Sequence, residues 1–382
     1  MPRQPILVIL ACLAAATAVA APEQGSDGEP ATAESASGEL SKKGTALVQS
    51  DDLVPALGDP DGRRPITETP WFNFYSDFAF NVYDAVLTSA TAQRRDRPDP
   101  FAQGECWERL IQEDRSAWSA AVHYFAETVA GTYDFSRERT IIRARLVGIE
   151  IDLDDDDRRD LALSLLFLRA AAPAWRICAW QEQDVANRRW VADLVPLLDR
   201  HADTIGARLE ELFGKAWHHK PLAVDLVETA GWAGADTVAF RGVPTHIQIN
   251  SRRASYKDRA AFEMIFHEAS HELVSPRRGP IAELIAKAAE EVDAPIHRSL
   301  WHGVLFVTVG EVARQILAAE GETYTPYTEA NGVFGGDWKV MHQPLFDHWL
   351  PFVRGEVGRE EAARNLMTAL KTAMAEEKPN SG

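Results

Sequence analysis

The chain has 382 residues, of which 46% are hydrophobic, and it carries a formal net charge of −17 at pH 7. This composition is ordinary for a globular protein with a sizeable core. The acidic balance argues against a nucleic-acid partner, because contacts to phosphate require a basic surface.

The N-terminus has the pattern of a secretory signal peptide over residues 1–20. Arg3 supplies the positive start, residues 6–16 form an apolar run too short to cross a bilayer, and residues 18–20 offer a small-residue cleavage site. We therefore predict an exported protein, periplasmic or extracellular. No later segment has the roughly 18 uncharged apolar residues of a transmembrane helix, so we expect no membrane span after signal cleavage.

Polar segments flank the predicted globular part. Residues 21–64 contain few large apolar side chains and are predicted to be a disordered linker. Residues 376–382 form a similar polar tail. Between them we expect a helical N-terminal part, residues 65–215, and a zincin-like catalytic part, residues 216–375.

The N-terminal part is predicted to be helical from its apolar periodicity. Residues 71–91 and 106–129 each indicate a buried helix. The acidic run at residues 152–157 is suited to the N-terminus of a further helix, residues 158–171, where the helix dipole favours negative charge. Pro173 is expected to end or reset that helix.

Two cysteines follow the signal segment, Cys106 and Cys178. A disulfide between them would fit an oxidising compartment, and two unpaired buried thiols are the alternative. The cysteines do not have the spacing of a metal site. Any metal must therefore be held by histidines and carboxylates.

Strand-like segments at residues 222–227, 237–240 and 245–250 predict a small sheet in the catalytic part. Glycines and prolines separate the segments. An exposed strand edge can pair with an extended peptide, so residues 245–250 are a predicted substrate edge. His246 on this segment is expected to face solvent.

The sequence Phe-His-Glu-Ala-Ser-His at residues 266–271 lies within a predicted helix, residues 258–274. Residues four apart share one helix face, so His267 and His271 can bind one Zn²⁺ through their imidazole nitrogens. Glu268 can reach a zinc-bound water as general base. This pattern is typical of zinc hydrolases, although two ordinary helix histidines are the alternative.

A catalytic zinc site usually has a third protein ligand, and three carboxylates are candidates. Glu290 and Glu291 lie in a segment that resembles a solvated helix end. Glu311 follows the apolar run at residues 304–309, where a lone carboxylate is costly unless it is paired or binds a metal. We therefore favour Glu311 as the ligand, with a buried salt bridge to Arg314 as the alternative.

The oxyanion formed during acyl transfer needs a donor besides the metal. His302 and Tyr327 are predicted catalytic residues, with Tyr324 and His342 as further candidates. His302 lies half a helical rotation from Glu311. It is therefore not expected to be a ligand together with Glu311 unless the helix begins or bends between them.

These motifs resemble those of a group of secreted bacterial zincin-like proteins of largely uncharacterised function. The resemblance rests on the His-Glu-Ala-Ser-His motif and on residues 300–302, 308–311 and 324–327, with looser similarity over residues 71–355. It implies a gluzincin-type zinc site with Glu311 as third ligand, and it implies no particular substrate.

The sequence thus predicts an α+β, mainly α-helical fold, with a zincin-like metallopeptidase core and a small sheet before the active-site helix. The expected activity is that of a secreted zinc-dependent hydrolase acting on a peptide or protein, with Glu268 as general base. Two alternatives stay open. One is a catalytically silent zinc-binding or structural exported protein, and the other is a hydrolase of non-peptide amides or esters.

Overall fold

The computed structural model describes residue 57 and residues 63–132, 136–231, 233–238 and 245–376. The predicted signal, nearly all of the predicted linker and the tail beyond residue 376 lie outside the described residues. The described chain is mainly α-helical with a small mixed sheet, which confirms the α+β class.

Five strands form the sheet, in the order β1-β2-β3-β5-β4. Strands β2, β3 and β5 are parallel, whereas β1 and β4 pair antiparallel at the two edges. Strands β1 to β5 span Thr67–Glu68, Phe72–Tyr75, Leu222–Val227, Ala235–Val238 and His246–Asn250.

The position of β5 corrects the predicted substrate edge. Residues 245–250 lie between β3 and β4, so their backbone groups already pair on both sides. Among the described residues, the edge strand next to β5 is β4, Ala235–Val238. His246 is buried and hydrogen-bonds to Asp225, so the prediction that it faces solvent is wrong.

The helices occupy most of the remaining described chain. Helices α1 to α13 span Phe78–Arg94, Gly104–Arg109, Gln112–Thr128, Arg137–Leu146, Asp155–Trp175, Gln181–Phe213, Asp258–Ala269, Pro280–Glu291, Leu300–Ala319, Tyr327–Ala330, Lys339–Pro344, Leu350–Val353 and Arg359–Glu376.

The predicted helix at residues 71–91 is in fact a strand followed by a helix. Residues 72–75 form strand β2. Asp77 then caps α1 by accepting a hydrogen bond from the backbone N–H of Phe80. The predicted helix at residues 106–129 is likewise split, into α2 and α3.

Pro173 does not end its helix. The acidic run caps α5 as predicted, through a capping box between Asp154 and Asp157. The π-helical turn Arg176–Trp180 follows the proline, and the chain continues directly into α6.

Helices α5 and α6 together form the one described helix that is long and apolar enough to cross a membrane by length and composition. Half of its most apolar window is buried inside the protein. Cys106 in α2 and Cys178 in the π-helical turn form a disulfide, which confirms that predicted pairing.

The two predicted parts share one sheet and one core. Strand β2 from the first part pairs with β3 from the second, and α6 packs against α7 and α9. Because side chains alternate along a strand, the sheet has two different faces. Its apolar face, with residues such as Val224 and Ile247, packs in the core with α6 and α7.

The opposite face of the sheet is polar. Asp225 and His246 hydrogen-bond to each other there, and Arg63 donates two hydrogen bonds of 2.6 and 2.7 Å to Asp225. Arg143 of α4 pairs with Asp236 of β4 on the same face. The sheet therefore separates a buried polar network from the helix that carries the His-Glu-x-x-His motif.

Candidate metal centre

Helix α7 carries the His-Glu-x-x-His motif through the core. All residues from Ala261 to Ala269 are buried, which explains why apolar residues surround the motif in the sequence. The helix ends at Ala269, and His271 lies in the 3₁₀ turn Ser270–Glu272 that continues it. Its ring centroid is 5.3 Å from that of His267, and the two ring planes are nearly perpendicular.

His302 completes a cluster of three histidines. It lies in the first turn of α9, and its Nε2 atom is 3.1 Å from Nε2 of His267. One ring nitrogen from each of His267, His271 and His302 lies within 4.8 Å of the others, which is close enough to share one metal ion. Sequence reasoning had placed His302 among the oxyanion donors rather than among the ligands.

The structure does not bring Glu311 to this cluster, and the predicted ligand set is corrected accordingly. The Glu311 carboxylate accepts hydrogen bonds from Arg314 at 2.7 Å, from Arg354 at 3.0 Å and from Gln315 at 2.9 Å. Burial alone would raise the pKa of Glu311, but these hydrogen bonds outweigh burial and lower it. The carboxylate is therefore the centre of a salt-bridge network.

His302 and Glu311 are half a helical rotation apart on α9, so they cannot both face the metal position. They lie on opposite sides of α9, and the side that faces α7 carries His302. Of the two other carboxylate candidates, Glu291 pairs with Arg364 and Lys287, and Glu290 is exposed. Among the described residues, the third position of the cluster is therefore taken by His302, and no carboxylate belongs to the cluster.

The three imidazoles are held in their neutral form. Burial, together with the neighbouring histidines, keeps the pKa values of His267 and His271 well below the usual range. Burial lowers the pKa of His302 to about 4. A neutral imidazole has a free lone pair, which is the form that binds metal.

Packing orients the histidine rings. The ring of Phe306 lies 3.7 Å from that of His267, centroid to centroid, whereas Nδ1 of His267 is buried and has no hydrogen-bond partner among the described residues. Trp301 stacks on His302 at 4.9 Å, and Trp338 meets the same ring edge-on at 5.3 Å. The cluster therefore has an aromatic wall, formed by Trp301, Phe306 and Trp338.

Glu268 lies beside the cluster and contacts the edge strand. Its Oε2 atom is 4.0 Å from Nε2 of His271 and 2.7 Å from the hydroxyl of Thr237 on β4. Burial raises the pKa of Glu268 to about 8. Thr237 was not identified from the sequence, because a threonine within a predicted strand gives no signal of its own.

Tyr324 and Tyr327 both contact the buried Glu263. The hydroxyl of Tyr324 and the backbone N–H of Tyr327 donate to the buried carboxylate of Glu263, at 2.7 and 2.9 Å. The side chain of Tyr327 packs on Tyr256, with ring centroids 5.3 Å apart. Within the described chain, no hydrogen bond or ring contact joins Tyr327 to the three histidines, so its predicted role as an oxyanion donor has no support in this geometry.

No protein-family model, no curated protein and no solved structure matches this chain. The resemblance to zincin-like proteins therefore rests on the motifs alone. The case for a function rests on the geometry of the histidine cluster.

Proposed function

We propose that the protein is an exported zinc-dependent hydrolase that cleaves peptide bonds and has a zincin-like core. The observation that carries the proposal is the convergence of His267, His271 and His302 beside Glu268. A site of three ligands with a carboxylate next to it has the composition of a catalytic zinc site rather than a structural one.

The residues present fit zinc. Neutral imidazoles are preferred zinc ligands, and three of them leave a fourth position of a tetrahedral site open. A zinc ion bound there would polarise the scissile carbonyl and make an attacking water more acidic. Structural zinc sites, in contrast, use four protein ligands, and the cluster has three among the described residues.

Glu268 is the proposed general base. It would accept a proton from the attacking water and deliver it to the leaving amine, so that the carboxylate is regenerated in each cycle. With its pKa raised by burial to about 8, the side chain is protonated at neutral pH without a nearby cation. A positive ion in the histidine cluster would lower this pKa and so favour the ionised carboxylate, which is the form that can accept a proton.

Within the described sheet, β4 is an edge strand, which supports a peptide substrate. An extended peptide can add to an open strand edge through main-chain hydrogen bonds. Thr237 belongs to this edge strand and contacts Glu268 directly, so a peptide paired along β4 would pass close to the base. On the other side, the half-buried Trp301 and Trp338 offer apolar surface to a substrate side chain.

Two further features support export. The N-terminal sequence has the pattern of a signal peptide, and the disulfide between Cys106 and Cys178 belongs to an oxidising compartment.

The decisive experiment compares the wild type with Glu268→Gln, each with its zinc content measured. Both should bind one zinc, and the wild type should cleave members of a fluorogenic peptide library. Glu268→Gln should lose activity by about 10²–10⁴-fold, the usual contribution of a general base. Glu283→Gln, an exposed glutamate on α8, is the matched control and should behave as the wild type.

Three other outcomes would contradict the proposal. Cleavage of an ester panel without peptide cleavage would make the protein a non-peptide hydrolase. Zinc binding without any hydrolysis would make it a silent zinc-binding protein. Absence of zinc after reconstitution would reject the metal centre altogether.

A further inference from the structure

A cavity lies on the polar face of the sheet, away from the histidine cluster. Its volume is about 430 Å³, and it is bounded by α1, α4 and the edge strand β4. We call it the arginine pocket, after four of its lining residues: Arg95, Arg97, Arg139 and Arg143.

The arginine pocket has an excess of positive charge. Asp84 and Asp236 are the carboxylates among its described lining residues, against the four arginines. Both are already engaged: Asp236 pairs with Arg143 at 2.8 Å, and Asp84 accepts hydrogen bonds from Thr229 and from the backbone of Ala230. Such local positive charge is notable in a chain with a net charge of −17.

Several polar groups at the pocket have no partner. The side chains of Arg95 and Arg97 are exposed and form no ion pair within the part of the chain that the structure describes. The hydroxyl of Tyr83, a residue only 2% exposed, has no hydrogen-bond partner among the described residues, and the same holds for the buried Nε of Arg143. Buried polar groups of this kind normally meet a partner, which a ligand can supply.

We propose that the arginine pocket binds a small oxyanion, either a phosphate or the carboxylate groups of an organic acid. Guanidinium groups recognise both through paired N–H donors, and the Tyr83 hydroxyl would add a neutral donor. The volume falls within the usual range of small-molecule sites. Arg95 and Arg97 lie on the exposed side, where an anion would enter.

The proposed anion site is separate from the metal centre. Asp236 and Thr237 are neighbours on β4, and their side chains project to opposite faces of the sheet. Asp236 lines the arginine pocket, whereas Thr237 contacts Glu268. Binding of an anion therefore does not depend on zinc or on hydrolysis.

The test is isothermal titration of the mature protein with inorganic phosphate and, separately, with succinate, at physiological ionic strength. We expect one equivalent of one of these anions to bind. Arg97→Gln should weaken that binding by about tenfold or more, since it removes a charged hydrogen-bond donor. Tyr83→Phe removes only the hydroxyl and should weaken it to a smaller extent.

Arg109→Gln is the matched control, because it makes the same charge change at an exposed arginine that does not line the pocket. It should bind the anion as the wild type does. Preference for phosphate or for succinate identifies the source of the oxyanion. The proposal is overturned if neither anion binds the wild type, or if Arg97→Gln and Tyr83→Phe, with unchanged melting temperatures, bind as tightly as Arg109→Gln.

Discussion

The hydroxyl of Thr237 lies 2.7 Å from Oε2 of Glu268 and 2.9 Å from the backbone carbonyl oxygen of the same residue. One hydroxyl hydrogen can serve only one of these acceptors fully. While Glu268 is protonated, its carboxyl can donate to Thr237, whose own hydrogen then bonds the carbonyl. When Glu268 ionises, the hydroxyl can turn to the carboxylate. Thr237 is thus a positioning residue that can accompany both protonation states of the base.

Thr237→Val should reduce turnover while leaving zinc bound. The valine cannot hydrogen-bond, so the buried carboxyl loses the contact that positions it, and we expect roughly a tenfold or greater loss in kcat. Thr237→Ser keeps the hydroxyl and should restore most of the activity. Equal kcat and an equal pH profile in Thr237→Val and the wild type would show that the contact does not position Glu268.

The third ligand can be tested by zinc stoichiometry. His302→Ala should lose zinc, because two imidazoles remain, whereas Glu311→Gln should keep one zinc per chain. Glu311→Gln should instead be less stable to urea, since Arg314 and Arg354 lose their ionic partner. Mass spectrometry of the purified variants measures the first effect. Zinc loss in Glu311→Gln with retention in His302→Ala would reverse our assignment.

The assignment of the third ligand shows what the sequence could and could not determine. His302 and Glu311 cannot share one side of α9, as helical periodicity alone predicts. One of the partners of Glu311 is Arg354, which comes 43 residues later in the sequence and pairs with it only in the folded protein. A buried carboxylate can be satisfied by arginine or by metal, and local sequence does not distinguish the two.

The sheet also shows which features the local sequence could and could not determine. The β-branched run at residues 222–227 located β3 correctly, and alternation at residues 245–250 located β5 to within one residue, because these patterns are local. The order of the strands depends on long-range pairing, and β4 follows β3 in the chain but pairs outside β5. The substrate edge was therefore assigned to the wrong strand, and Thr237 was missed.

The disulfide should contribute substantially to stability. It closes a separation of 72 residues between Cys106 and Cys178, and cross-links of this kind typically stabilise a protein by about 2–4 kcal/mol. The double variant Cys106→Ser, Cys178→Ser should lower the free energy of unfolding in urea by that amount. Reduced wild type is the control and should match the double variant. An unchanged midpoint in both samples would contradict the prediction.

Glu263 should make stability fall as pH rises. Its side chain is fully buried, and burial raises its pKa from 4.5 to about 7 despite hydrogen bonds from Tyr324 and Tyr327. Between these two values the unfolded chain has released the proton while the folded protein still binds it. The folded state is therefore favoured at low pH, and this contribution, up to about 3 kcal/mol, is lost as pH rises from about 4.5 to 7.

Glu263→Gln isolates this contribution, because glutamine does not titrate and its amide oxygen can still accept from Tyr324 and Tyr327. The free energy of unfolding, measured by urea titration at several pH values under the same metal conditions, should fall less steeply between pH 4.5 and 7 in the variant. Glu361→Gln on α13, an exposed glutamate, should keep the slope of the wild type. Parallel curves for the wild type and Glu263→Gln would mean that Glu263 is already ionised in the folded protein at acidic pH.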